Sequence, residues 1–259
     1  VTVVDRIFSG EVFIYASGQS SLDFPLAEYS GEKYIVVNGA IRAFIDLGIK
    51  PFAYVYDDPD FIESNVELVI KAIEISEVIF MPRELYVEYK IADKVSEHLK
   101  TKINFISKVN KPDGVTLYPY RFFFIRNLFN RELVFKLSRL IYKSKNIGFS
   151  RDIEQGYFCA RTIPYVALQL AYSLGFERVF FIGLDLNESV GRFYDGEIPL
   201  PTTLDKDYPK HIYPSFKLVA KRIVCDKFKI YNLSLNSRLP ETVIPKITLK
   251  QLRAILDEK

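Results

Sequence analysis

What most constrains this chain is a series of short apolar runs, each ending on polar or turn residues and followed by helical spacing. Residues 11–16 (EVFIYA), 33–37 (KYIVV), 52–56 (FAYVY) and 77–81 (EVIFM) are apolar on both faces. They break at Ser17-Gly18, Asn38-Gly39, Asp57-Asp58 and Pro82. Strands without polar alternation are expected where helices cover both sides of a parallel sheet. Between them, 40–47 and 61–75 carry helical spacing. The pattern resumes at Thr162, which can cap a helix with Ile163, Val166, Ala167, Leu170 and Leu174 on one face. Gly175 ends that helix, and the strand 178–184 (RVFFIGL) stops at Asp185. A helix through Phe216, Val219, Ala220, Ile223 and Val224, a strand at 229–233 and a short helix after Thr248 follow. The alternation predicts an α/β fold, a single doubly wound, mostly parallel, Rossmann-like sheet spanning 1–259.

Two stretches depart from the pattern. Residues 83–147 are charged and aromatic and are expected to form a helical insertion. Within them, 120–142 set Arg121, Arg126, Arg131, Lys136 and Arg139 among Phe and Leu. Such a surface can lie on an anionic membrane face. The alternative, preferred from sequence, is a bundle beside the sheet with its basic residues in solvent. Residues 186–210 are rich in Gly, Pro, Asp and Tyr and lack periodicity, the signature of a lid.

Composition removes several function classes. With 49% hydrophobic and 26% charged residues over 259 positions, the chain can bury a core without staples. Cys159 and Cys225, in apolar contexts that read as helical, are expected as buried thiols of a reducing compartment. Two His and no CxxC or HExxH make a structural zinc unexpected. A net charge of +3 is too mild for a nucleic-acid partner. No apolar run of membrane-spanning length and no signal pattern are present, so a cytoplasmic location is expected.

In open α/β sheets, ligands bind beyond the carboxyl ends of the strands. Ser17, Gly18, Gln19 and Ser20 form a small-residue turn where backbone N–H groups could meet a phosphate. It matches neither GxGxxG nor a P-loop, and any tight turn before a helix favours Gly and Ser. Asn38 and Gly39 end the second strand. Asp57, Asp58 and Asp60 could hold a divalent cation, but Asp58-Pro59 is equally an N-cap and first-turn proline. Asp57 is therefore the stronger cleft candidate, with Asp185 beside it. His211 follows the lid and precedes a helix, where closure could bring an imidazole over substrate, whereas His98 reads as a surface residue. Tyr194, Tyr208 and Tyr213 offer hydroxyls to phosphate oxygens or pack the lid. Arg161 and Thr162, at a helix N-terminus, could take a carboxylate or an acceptor; their plainer roles are a solvated Arg and a cap.

Three stretches together carry a resemblance. ASGQSSLD (16–23) resembles a turn of the bacterial lipooligosaccharide sialyltransferases, and RTIPYVALQLAYSLGFERVFFIGLDL (161–186) their helix-strand segment ending in GID or GLD. LSLNSRLPETVIPKI (233–247) is similar to the carboxyl-terminal segment of the lipopolysaccharide-core Kdo transferases. The wider superfamily includes flagellin-modifying nonulosonate transferases and an archaeal pterin pyrophosphokinase. The resemblance implies metal-independent transfer, without a cofactor, from a CMP-activated acidic sugar to a glycolipid or oligosaccharide acceptor of lipopolysaccharide or capsule. It assigns the nucleotide to Ser17, Gly18 and Asn38, a polar cleft position to Asp57, and the base to His211. Two lid tyrosines of the family fall on Asn187 and Phe193, with Tyr194 as a substitute, and a family proline is Gln19. These departures favour a Kdo-like ulosonate donor over sialic acid. If transfer retains configuration, Asp57 or Asp185 is the candidate nucleophile. The rivals are a Mg²⁺-dependent pyrophosphokinase with ATP in the first turn, and a non-catalytic module of polysaccharide assembly.

Overall fold

Strand β1 (Glu11–Tyr15) sits inside a seven-stranded sheet because its side chains are apolar on both faces. Val12, Ile14 and Ala16 join the core on one side and Phe13 and Tyr15 the core on the other. The computed structural model describes residues 8–136, 147–194 and 202–258. Along the described chain follow β2 (Tyr34–Val37), β3 (Ala53–Val55), β4 (Val78–Met81), β5 (Ile103–Phe105), β6 (Leu133–Phe135), β7 (Gly148–Ser150), β8 (Arg178–Ile182) and β9 (Lys229–Asn232). The sheet order is β5-β4-β3-β2-β1-β8-β9, and every neighbouring pair is parallel. The expected α/β class and parallel sheet are both present. From β1 the chain winds outward through β2 to β5, then returns to place β8 on the other side of β1. The two windings diverge between β1 and β8, and the crevice there is where such sheets bind ligands.

Local signals set the helix ends. Asp58 accepts from the Phe61 N–H at 3.3 Å ahead of Pro59, so it is the cap of helix Pro59–Ile75 rather than a cation ligand. Thr248 and Gln251 close a capping box on Leu249–Asp257. Helix Ile163–Leu174 ends on left-handed Gly175. Thr162 is its N-cap by position, but its side chain makes no capping hydrogen bond.

Three expectations need correction. The 83–147 stretch is not a purely helical insertion: β5 extends the main sheet, and β6 and β7 form an antiparallel hairpin beside short helices. Their runs of three residues are too short for a periodicity argument. Arg139 and the rest of 137–146 lie outside the described residues, as does 195–201 within the expected lid. Helix Ile163–Leu174 is buried on nearly all sides rather than on one stripe, its second face meeting Phe149 of β7. Finally, neither cysteine is helical, and Cys225 is exposed in an isolated bridge with Phe228.

Candidate active site

At the β1–β8 crevice the turn after β1 is fastened to the end of β8. The Gly18 N–H donates to the Gly183 carbonyl at 3.0 Å. Both Asp185 oxygens accept from Ser20, one from its N–H at 2.9 Å and the other from its hydroxyl, which also reaches Ser234 at 2.7 Å. Asp185 is buried, and these charge-assisted bonds make it a lock that orders the turn. With both oxygens engaged, it is poorly placed to attack a sugar. Ser20, expected to contact nucleotide, likewise has its donors spent on protein. Only glycine fits at two points of close approach: a Cβ on Gly18 would collide with Gly183 and Asp185, and one on Gly39 with the Tyr194 ring.

The start of the expected lid is hydrogen-bonded to the same turn. The Phe193 N–H donates to the Ser17 carbonyl at 3.0 Å, and the Gln19 amide donates to the Arg192 carbonyl at 3.3 Å. Tyr194 lies against Gly39 with the Arg42 and Arg192 guanidinium groups over its ring. Ser17, Gly18, Gln19, Gly39 and Tyr194 are thus brought together. Asn38 sits beside them in a left-handed conformation, φ 45°, and its buried Oδ1 has no hydrogen-bond partner among the described residues. A strained residue with an orphan acceptor is a site prepared for an outside donor. Asn187 is differently employed: its Oδ1 accepts from the Ser189 N–H and hydroxyl and caps a short turn.

A second cluster lies at the end of β3. Asp57 is buried, its Oδ1 is paired with Lys108 Nζ at 3.0 Å, and its Oδ2 has no hydrogen-bond partner among the described residues. The buried Tyr157 hydroxyl acts on the same carboxylate without closing a well-formed hydrogen bond. Burial pushes the Asp57 carboxyl above the ordinary aspartate value, with Lys108 and Tyr157 pulling against it. Burial is the largest single influence on the Lys108 ammonium and works to lower it, but the charge and hydrogen bond of Asp57, with Cys159 and Glu84, together turn the net direction upward. Burial raises the Cys159 thiol too, so it is no reactive thiolate. Ala160 and Arg161 follow in left-handed backbone, φ 48° and 60°, and lead to Thr162. Two consecutive left-handed non-glycine residues beside a cleft mark stored strain.

The buried Gln169 fixes this cluster. Its Oε1 accepts from the Ser150 and Phe158 N–H groups, at 2.9 and 3.0 Å, and its amide donates to the Phe158 and Tyr165 carbonyls. Gln169, Lys108, Tyr157 and Ser234 escaped sequence reasoning. None of them left a periodic trace: β5, which leads to Lys108, is three residues long with Asn104 at its centre.

His211 belongs to a single π-helical turn, Tyr208–Ile212, ahead of helix Tyr213–Arg222. The Tyr208 hydroxyl donates to the Arg238 carbonyl at 2.8 Å, and the Arg238 N–H donates to the Asp185 carbonyl at 2.8 Å. The His211 turn is therefore tied to the loop at the crevice. Tyr213 packs on Tyr208 with Lys217 over its ring. His98 is exposed beside Ser96, consistent with the surface role. Among the described residues, no three His, Cys, Asp or Glu side chains converge to hold a metal ion, and no helix is long and apolar enough to cross a membrane.

The Asp57–Lys108 pair gives a pH test. A carboxyl whose folded pKa is raised stabilises the fold below its unfolded value, and that stability is lost as pH rises through the folded value. Without the lysine the folded pKa climbs further. Lys108→Met should cost about 1–3 kcal/mol at neutral pH; Lys108 is part-exposed, which keeps the loss below the full cost of a broken buried pair. Part of the loss should return at acidic pH, as the carboxyl protonates. Urea midpoints at the two pH values measure this, and an identical deficit at both would remove Asp57 as the cause.

The family model of the 3-deoxy-D-manno-octulosonic acid transferase WaaZ matches residues 2–250. The "Probable 3-deoxy-manno-octulosonic acid transferase" of Escherichia coli (strain K12) is 30% identical over 97% of this chain and 87% of that protein. The protein of the same description from Salmonella typhimurium (strain LT2) is 29% identical, over 93% of this chain and 88% of its own. Solved structures of the sialyltransferase CstII from Campylobacter jejuni, with CMP-3FNeuAc and with cytidine-5'-monophosphate, align over 91% of this chain. They cover 85% and 84% of their own chains, at 16% and 18% identity and a TM-score of 0.46.

Proposed function

This chain belongs to the WaaZ family of 3-deoxy-D-manno-octulosonic acid (Kdo) transferases, and from that premise we propose that it moves Kdo from its CMP derivative to a sugar of the lipopolysaccharide core. The observation that carries the donor assignment is the crevice between β1 and β8. There a turn of uncharged small residues, ordered by Asp185, lies beside the orphan Oδ1 of Asn38. That oxygen suits a ribose hydroxyl or the exocyclic amine of cytosine. A donor with one phosphate and one carboxylate needs hydrogen-bond donors more than a cation, and Arg161, Thr162 and Tyr194 add to the inventory.

In the proposed reaction His211 takes the proton of the acceptor hydroxyl. The acceptor oxygen bonds to the anomeric carbon while the bond to phosphate breaks, and CMP departs with that electron pair. The open oxygen of Asp57 supports a second route with retention, in which Asp57 attacks first and the acceptor displaces it. An isolated glycosyl-enzyme would decide for that route. The reaction belongs to the cytoplasmic face of the inner membrane, where the acceptor's lipid anchor is held, and needs no divalent cation.

Thermal unfolding with nucleotides tests the reading. CMP at about a hundred times its Kd should stabilise the protein by about 2.7 kcal/mol, while UDP and GDP should not. Transfer should survive EDTA. Equal protection by UDP with Mn²⁺, or activity lost to EDTA and restored by Mg²⁺, would overturn the CMP-donor assignment in favour of a metal-dependent enzyme.

A further inference from the structure

The residues after Lys108 turn outward into an unusual surface. Of the thirteen large hydrophobic side chains exposed among the described residues, seven fall within 115–129: Val115, Leu117, Tyr118, Phe122, Ile125, Leu128 and Phe129. Phe129 is 95% exposed. The helix Tyr120–Arg126 is anchored by its inner pair, Phe123 and Phe124, the latter packed on Phe135. Its outward stripe of Phe122 and Ile125 continues to Phe129, so the apolar face that usually seeks a core here faces water. Residues 115–131 hold three arginines and no Asp or Glu. Arg121 lies over the Phe122 ring and Arg126 over the Tyr118 ring, at 4.8 and 5.0 Å. Aromatic rings edged by guanidinium groups suit the boundary between anionic headgroups and acyl chains.

This face is coupled to the cleft. Asn110, buried with φ 62°, donates to the Tyr118 carbonyl at 2.6 Å and accepts from its N–H at 3.1 Å. Two residues earlier Lys108 holds Asp57. We propose that the 115–129 face docks on an anionic bilayer and thereby holds the cleft at the membrane surface. The inference rests on the reading above in which the acceptor is a membrane lipid. It makes the exposed apolar stripe an interface, and the bundle preferred from sequence does not account for that stripe.

The test uses the full chain with vesicles of phosphatidylcholine alone or with about a third phosphatidylglycerol, read by co-sedimentation. Binding should require the anionic lipid and fall as salt rises. Each of Arg121→Gln and Arg126→Gln should weaken binding about fivefold. Phe122→Ser with Phe129→Ser should weaken it tenfold or more while leaving the melting temperature and the CMP shift unchanged. In that variant transfer to acceptor embedded in vesicles should fall and transfer to a delipidated acceptor should persist. No binding to anionic vesicles at low salt, or full binding by the double Phe variant, would overturn the proposal. So would a double variant that only converts a dimer to a monomer, which would make the face a self-association surface. A missing CMP shift with intact vesicle binding would instead count against the CMP donor alone.

Discussion

His211→Ala should slow sugar transfer by about 10²- to 10⁴-fold while leaving CMP binding intact, the range expected when a positioned general base is removed. The structural support is the backbone that carries it. A single π-helical turn, Tyr208–Ile212, interrupts otherwise regular helix, and such turns are frequent at functional sites. One end is pinned through the Tyr208 hydroxyl to Arg238, whose N–H holds the Asp185 carbonyl; the other ends on fully buried Ile212. The imidazole is thus carried on a segment anchored to Asp185, whose carboxylate orders the turn at Ser20. Steady-state rates on parent and variant, with the CMP thermal shift as control for folding, measure the effect. The acid limb of the kcat/KM profile should also disappear in the variant. Near-normal turnover would take His211 out of the mechanism and leave the route in which Asp57 attacks first.

Gln169→Leu is the stability counterpart. The substitution keeps approximate size and removes four hydrogen bonds from a fully buried position. The Ser150 N–H, the Phe158 N–H and the Phe158 carbonyl are left without those partners. At about 1–3 kcal/mol for each unsatisfied buried group, the loss should exceed about 3 kcal/mol. Urea unfolding measures it directly. The 157–161 segment should loosen as well, so transfer should fall at temperatures below the variant's melting point. A change under about 1 kcal/mol would show that water or a local shift replaces the amide.

These two residues stood differently in the sequence. His211 could be singled out because an imidazole between a lid and a helix is chemically unusual and independent of packing detail. Gln169 lies off the apolar face of Ile163, Val166, Ala167, Leu170 and Leu174 by which the sequence marks that helix, so nothing in the pattern singles it out. The hairpin of β6 and β7 helps enclose that second face. Its strands are three residues each, below the length at which alternation carries information. The same limit hid β5, and with it Lys108, the partner of Asp57.

The sequence by itself determined the parallel class of the main sheet, six of its seven strands and the polar residues at their carboxyl ends. Runs apolar on both faces are stable only when covered on both sides, and polar residues at their carboxyl ends follow from the same burial. It also determined Asp58 as a cap, because capping is local chemistry over three residues. Tertiary structure alone decided what the polar residues do. Asp185 became a lock because Ser20, 165 positions away, supplies both donors. Asn38 kept an open oxygen because, among the described residues, the chain that buries it brings no donor within reach, and the 115–129 stripe faces water because no described element packs on it. Hydrogen-bond partners distant in sequence leave no periodic trace, so which buried polar group is satisfied and which is left open is settled only when the chain closes on itself.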